Sequence, residues 1–330
     1  MPGPPEPDDP HPPARWRSPS PMEHMPALEI GGTHVTAALV DARIGRVVAQ
    51  SVRRRPLRAG GSAAQIVSDI LRCARGLDVQ AASWGVAIPG PFDYARGIGL
   101  FRGVAKFDAL YGFDLGRALL DGLAPAAVRV AFLNDADAFM LGEWASGAAS
   151  GHQRAVGITV GTGIGSAFLA DGVIVDDGQD VPPEGSVHLL TIGGRPLEDT
   201  VSRRAILSRY TELARDPLDP EDDVREIAAR AREGDRVASD ALTTAFAALG
   251  EALAPWLVRF GATVLVVGGA IARAWDLLEP ALRAGLERLD PDLPDKMQVR
   301  PALHPDEAAL VGAAQHAVAG SISRTEGGGR

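Results

Sequence analysis

A repeated unit constrains this chain more than any other feature: strand, glycine turn, strand, tight turn, strand, met twice about half the chain apart. Near the start, Glu29-Ile-Gly-Gly-Thr33 lies between apolar runs at 27–30 and 34–40, with a third at 46–53 after the turn Asp41 to Gly45. In the middle, Gly161-Thr-Gly-Ile-Gly165 lies between runs at 155–160 and 166–170, with a third at 173–175 after Asp171-Gly172. Short apolar runs bounded by glycine and aspartate turns read as antiparallel meanders. Each meander continues into alternating helical and strand patterns. The repetition predicts an α/β chain made of duplicated domains with an interdomain cleft.

The first half continues with a helix from Ser62, a fitting N-cap, to Gly76, a fitting C-cap. A strand at 82–88 ends at Pro89-Gly90-Pro91, followed by a short helix near 115–120 and a strand at 128–133. The second half holds helices at about 136–148, 198–213, 221–233, 235–259 and 274–288, strands at 264–267 and near 298–302, and a last helix at 306–319. The expected organisation is a disordered Pro-rich tail at 1–26, an N-terminal α/β domain at 27–133 and a C-terminal α/β domain at 134–305. A helix at 306–320 packs back on the first domain, and a second disordered tail occupies 321–330.

A net charge of −9 argues against nucleic acid, whose backbone calls for clustered Lys and Arg. Cys73 is the only cysteine, which excludes a disulfide framework and a cysteine-based metal site. Its place beside Ile66 and Ile70 predicts a buried core thiol. No apolar run approaches the ~20 residues that span a bilayer, and residues 1–21 carry no apolar signal core. The expectation is a cytoplasmic protein without a membrane partner.

Three glycine turns and one Asn-Asp pair carry the chemistry. At Gly31, Gly32 and Thr33, backbone N–H groups can close on a phosphate and the hydroxyl can donate to it. Glu29 on the preceding strand can hold Mg²⁺ through water. Gly161, Thr162 and Gly163 repeat that chemistry in the second half, and Gly268-Gly269 opens a strand towards a helix N-terminus where a nucleotide can dock. On residues alone, a hairpin needing φ > 0 accounts for the first two turns, and close strand–helix packing for the third. Asp135, beside Asn134 at the head of LNDADAFMLGE, can take the proton of an attacking hydroxyl. The same pair also suits a helix N-cap. Together the turns and the carboxylate suit phosphoryl transfer to an alcohol, which depends on positioning and electrostatics.

In combination, LEIGGTHVTAALVD, VAIPG, LNDADAFMLGE, ITVGTGIGSAFLADG and VVGGAIARAWDLL resemble the ROK family of bacterial sugar kinases and related repressors. That family lies within the actin/hexokinase-like superfamily of ribonuclease H-like domains. The resemblance runs from Ala27 to about Gly320. It implies ATP and Mg²⁺ as cofactors, Asp135 as general base, and Asn134, Gly90, Glu198 and His188 on the sugar. It also implies a homodimer.

The departures fall mostly on the sugar side. Glu29 replaces the usual aspartate, and His34 stands where many members carry lysine. PPEGSVHLL lacks the family's Glu-x-Gly-His spacing, since Glu184 is four residues before His188. The cysteine cluster that binds structural zinc in many members is missing, so no zinc is expected. Lys106 lies near the position where many relatives place a sugar-binding asparagine, and can meet a hydroxyl, carboxylate or phosphate. A solvated loop lysine is the plain alternative.

The leading expectation is an ATP-dependent phosphotransferase acting on a hexose or hexose-like hydroxyl. A C7-cyclitol or amino-sugar kinase of the same family is an alternative. A non-catalytic sugar-binding regulator or repressor is the alternative of another class. Repressor relatives carry a winged helix-turn-helix domain, which the Pro-rich residues before the first strand do not resemble.

Overall fold

The computed structural model describes residues 24–327 except 105, 215–218 and 220–221, with side chains described to residue 320. The expected tail at 1–26 lies outside these residues up to position 23, and the first strand takes in 24–26.

In the N-terminal sheet, β1 (His24–Ile30) pairs antiparallel with β2 (His34–Asp41), whose other edge carries β3 (Arg46–Val47) and β4 (Arg53–Pro56). After α1 (Ala63–Arg75), β5 (Ser83–Ile88) lies parallel to β1. A small hairpin of β6 (Phe92–Asp93) and β7 (Ile98–Gly99) and the helix α2 (Leu115–Gly122) lead to β8 (Arg129–Asn134), parallel to β5. The helix α3 (Asp135–Ser146) enters the second sheet, where β9 (Arg154–Val160), β10 (Ile164–Ala170) and β11 (Val173–Ile174) form an antiparallel meander. A hairpin of β12 (Thr191–Ile192) and β13 (Arg195–Pro196) follows. Next come α4 (Glu198–Val201), α5 (Arg203–Leu213), α6 (Val224–Arg232) and α7 (Arg236–Phe260). The chain ends with β14 (Val264–Gly268), α8 (Trp275–Glu287), α9 (Leu293–Lys296), β15 (Gln298–Pro301) and α10 (Ala308–Gly327).

The sheet orders are β3-β2-β1-β5-β8 and β11-β10-β9-β14-β15. Both run third, second, first, fourth, fifth, with the first three strands antiparallel and the last two parallel to the first. The two meanders seen in the sequence are therefore the same half of one topology used twice.

Strand side chains alternate faces, and each sheet packs one face on its own helices and the other into a core between the sheets. In the first sheet Leu28, Ile30, Trp84, Val86 and Ile88 join one core with Ile66 and Ile70 of α1 and Leu115 and Leu119 of α2. In the second, Val156, Ile158, Val160, Leu265 and Val267 meet α6, α7 and α8 in another. The inner faces carry Ala27, Ala87 and Ala155 and meet α3 and α10 in a third core between the sheets. Small residues there let the helices approach. A Cβ on Gly142 of α3 would run into the Ala308 carbonyl of α10, and one on Gly312 of α10 into the Ala138 carbonyl of α3.

Glu143 of α3 is fully buried, with its carboxylate accepting from Ala148 N at 2.7 Å, Leu303 N at 3.0 Å and His304 N at 2.8 Å. It fastens the end of α3 to the segment that delivers α10. Glu143→Ala would leave three backbone donors, the Ala148 one buried and the other two part-buried, without their acceptor, at an expected cost on the order of 3 kcal/mol. A lower urea midpoint is the readout.

Several boundaries differ from the sequence pattern. The third strand expected at 46–53 is broken by a one-turn 3-10 helix, Ala49–Ser51. The Ser51 hydroxyl takes the place of a ladder partner, accepting from Leu39 N at 2.8 Å and donating to Val48 O at 2.6 Å. The helix expected at 198–213 is two, because Ser202 turns extended and caps α5, accepting from Ala205 N at 3.4 Å. The last helix runs to Gly327, past the 319 where its apolar pattern ends. Cys73 is buried, its thiol donating to Val35 O at 3.4 Å and Arg53 O at 3.2 Å.

By length and composition α7 could cross a bilayer, which corrects the expectation that no segment comes near that length. Its apolar side is taken up by α6 and α8. Gly250 meets the Leu282 carbonyl, and Gly285 meets the Ala247 carbonyl.

Candidate active site

The candidate residues gather where the parallel strands end at their carboxyl edges, the edge at which α/β sheets bind ligands. Gly31 and Gly32 follow β1, Gly90 follows β5, and Asn134 closes β8 with Asp135 opening α3. In the second sheet Gly161 follows β9, and Gly268 closes β14. Topology therefore brings five separate stretches of sequence to equivalent edges of two sheets.

Asn134 is the N-cap of α3. Its Oδ1 accepts from Ala136 N at 2.9 Å and Asp137 N at 3.4 Å, while Nδ2 donates to the Tyr94 hydroxyl at 2.9 Å. Tyr94 in turn donates to Ile88 O at 3.4 Å. A Cβ on Gly90 would lie 3.3 Å from the Tyr94 hydroxyl and 4.0 Å from Asn134 Nδ2, so Gly90, Tyr94 and Asn134 form one patch. The cap reading of the pair holds for Asn134, and Asp135 in the first turn is left outside that cap. Water reaches the Asp135 side chain, although protein fills most of the volume around it. Its Oδ1 accepts from its neighbour Ala136 N at 3.0 Å.

Gly161 N donates to Gly163 O at 2.9 Å, closing the second glycine turn, and Arg203 N donates to Gly161 O at 2.9 Å, tying the turn to α5. A Cβ on Gly163 would lie 3.0 Å from Glu198 Oε2, and one on Gly165 would lie 2.8 Å from Ala136 Cβ. The turn thus sits between Glu198 and the first turn of α3. Gly269, at φ 86°, presses against the backbone of Val160 at the end of β9, so the third turn abuts the second. Thr162 is exposed. In the first turn Gly31 N donates to His34 O at 2.9 Å, and Thr33 Oγ1 lies 2.9 Å from His34 Nδ1. The histidine that departs from the family pattern therefore engages the Thr33 hydroxyl. The Lys106 stem passes 3.5 Å from where a Gly32 Cβ would be.

His188 is exposed on the 3-10 turn Val187–Leu189, and its side chain has no hydrogen bond to a described residue. The contacts that join the other candidates do not extend to it. Among the described residues, no group of three His, Cys, Asp or Glu side chains is arranged to hold a metal ion directly.

The electrostatics show what the site lacks. Burial raises the Glu29 carboxyl to about 7, with the Asp135 and Asp306 charges adding to the rise and Arg54 opposing it. Burial likewise raises Asp137 to about 7, helped by Asp176 and Asp135. Asp135 is raised by burial, against the pull of the Lys106 ammonium and its own backbone bonds. Tyr94 is pushed up by burial against the Asn134 hydrogen bond. Like charges crowded in a partly dry site disfavour ionisation. Sequence reasoning missed Tyr94, Asp137 and Asp306. Asp137 was open to detection, two residues after Asp135 on a helix start, whereas Tyr94 joins the site only through the fold.

A testable consequence is a neutral residue at position 29. A carboxyl raised from 4.5 to about 7 favours the folded state fully below 4.5 and loses that advantage as the pH climbs to about 7. Glu29→Gln should therefore melt higher than the parent at pH 7.5, by on the order of 1–3 kcal/mol after discounting for water at the side chain. Melting curves from pH 4.5 to 8 should show the two proteins converging at the acid end.

Two sheets of one topology with a helix pair packed between them define the actin/hexokinase-like class of α/β proteins. The chain belongs to the ROK family, whose model matches residues 25–319. It is 27% identical over 314 residues to a glucokinase of Thermotoga maritima, covering 87% of this chain and 95% of that protein. The structure resembles the ROK hexokinase of Thermus thermophilus, with a TM-score of 0.73 and 25% identity over 91% of this chain and 99% of that one. It also resembles a ROK family glucokinase of Streptomyces griseus solved with glucose and AMPPNP, with a TM-score of 0.71 and 23% identity over 90% and 99%.

Proposed function

We propose that this protein is an ATP-dependent phosphotransferase that phosphorylates a hydroxyl of a hexose or hexose-like acceptor. One observation carries the reading: Asp135 is outside its helix cap and open to water, its neighbour Ala136 lies against Gly165 beside the second glycine turn, and its charge acts on Glu29 beside the first. Family membership and the sugar-kinase relatives support it.

In this reading the backbone N–H groups of Gly32 and Gly163 and the hydroxyls of Thr33 and Thr162 hold the nucleotide phosphates, while Gly31 and Gly161, whose N–H groups close their own turns, shape the loops that present them. Gly268 and Gly269 lie on the adenosine side. The acceptor lies against Gly90, Asn134 and Glu198, with Asn134 held by its cap bonds and by Tyr94. Its Nδ2 has one hydrogen left to donate. His188 is left a peripheral role on the acceptor side. Asp135 takes the proton from the attacking hydroxyl as the new P–O bond forms. Glu29 fits a Mg²⁺ held through water, because its carboxylate is crowded by the Asp135 and Asp306 charges, which Arg54 only partly offsets. When bound, that ion would offset negative charge on the phosphates.

The reading carries with it a cytoplasmic homodimer acting on a small sugar or cyclitol, without zinc and without a nucleic-acid or membrane partner. Its support is family membership and the net charge of −9. The test is a coupled ADP-release screen over hexoses, amino sugars and C7 cyclitols, with and without Mg²⁺. Magnesium-dependent ADP release with one acceptor class supports the reading, and no release with any acceptor overturns it.

A further inference from the structure

Lys106 stands near the position where many relatives place an asparagine, and its setting points to a definite task. Its stem rests on Gly32 of the first phosphate turn, at 3.5 Å from a Cβ built there. Its charge is felt at Asp135, on the first turn of α3. The ammonium therefore faces the space between a donor-phosphate turn and the proposed base. Among the described residues no carboxylate lies within 4.0 Å of it, whereas Lys296 pairs with Asp290 at 3.0 Å.

The next residue holds it there. Phe107 is fully buried at φ 61°, a left-handed conformation that costs a bulky side chain energy. Its N–H donates to Ala59 O at 2.8 Å, and its ring packs on Phe101 with centroids 5.1 Å apart. A solvated loop lysine has no need of so constrained a neighbour. Here the backbone is fixed while the ammonium has no partner of its own.

We propose that Lys106 is a catalytic residue that contacts the transferring phosphoryl group and neutralises its charge between donor and acceptor. The proposal rests on the phosphotransferase reading above and deepens it. In the step, the acceptor oxygen forms a bond to the γ-phosphorus, and the bond from that phosphorus to the bridging oxygen breaks. The electron pair leaves with ADP, and the hydroxyl proton passes to the Asp135 carboxylate. Lys106 stays protonated throughout, its N–H groups on the oxygens that gain charge. A cation placed there acts more strongly on the transition state than on bound substrates.

The experiment compares the full chain with its Lys106→Met and Lys106→Arg variants, using the acceptor found in the screen. For Lys106→Met, kcat should fall about 10²–10³-fold, the range for losing one preorganised charge-stabilising contact. The acceptor KM should move less than about threefold, since an interaction confined to the transition state leaves ground-state binding alone. Lys106→Arg should recover part of the loss. Binding of ADP with aluminium fluoride, a mimic of the transferring group, should weaken far more than binding of ADP alone. Undiminished kcat in Lys106→Met, or a raised acceptor KM at unchanged kcat, overturns the proposal while leaving the phosphotransferase reading intact. A parent protein that releases no ADP with any acceptor overturns both.

Discussion

Asparagine in place of Asp135 is expected to lower kcat by about 10²–10⁴-fold, the usual worth of a positioned general base. Asparagine keeps the length and the oxygen that accepts from Ala136 N, so the first turn of α3 has no reason to change. Removing the charge also relieves Glu29 and Asp137, whose carboxyls are raised in part by Asp135. The variant should therefore melt at or above the temperature of the parent and still bind acceptor. A pH profile of kcat/KM in the parent should place its acid limb above the ordinary aspartate range, because burial disfavours the charged form. Steady-state kinetics together with calorimetric titration of acceptor measures both halves. Full turnover in the asparagine variant would remove Asp135 from the mechanism.

The second large effect is expected in the helix pair between the sheets. Gly312→Val places a branched side chain where even a Cβ runs into the Ala138 carbonyl. That neighbour is backbone inside α3 and cannot rotate aside, so α3 and α10 must separate and open the core between the sheets. Overpacking of this kind costs about 3 kcal/mol or more. A melting temperature lower by about 5 °C or more is expected, with reduced turnover per folded molecule because α3 carries Asp135 at its head. Gly60→Ala is the control: its Cβ meets nothing within 4 Å, so stability should hold. A Gly312→Val protein as stable as the control would show that the helices have slack to separate.

Much of this architecture could be read from local pattern. The two glycine hairpins, the Ser62 and Gly76 caps of α1 and the alternation in β1, β5 and β9 each depend on residues within a few positions of one another. Where a side chain from elsewhere decided, the pattern misled. Ser51 breaks a strand by bonding to Leu39, twelve positions away, and Ser202 splits a helix whose residues otherwise read as continuous. The candidate site divides in the same way. Glycine turns and the Asn-Asp pair were visible as types in a spacing. Tyr94 shows no signal until the fold lays its hydroxyl on Asn134, and the load on Glu29 appears only once Asp135 faces it.

By itself the sequence determined the duplicated α/β plan, the order of the elements and the chemical kinds of residue at each turn. These follow from period, composition and capping, which act over one or two turns of chain. Tertiary structure alone decided that Glu198 meets Gly163, that Lys106 lies on Gly32 and that α3 and α10 close to backbone contact. Those pairings depend on how two sheets pack about a shared pair of helices, and no short-range propensity encodes such a distance.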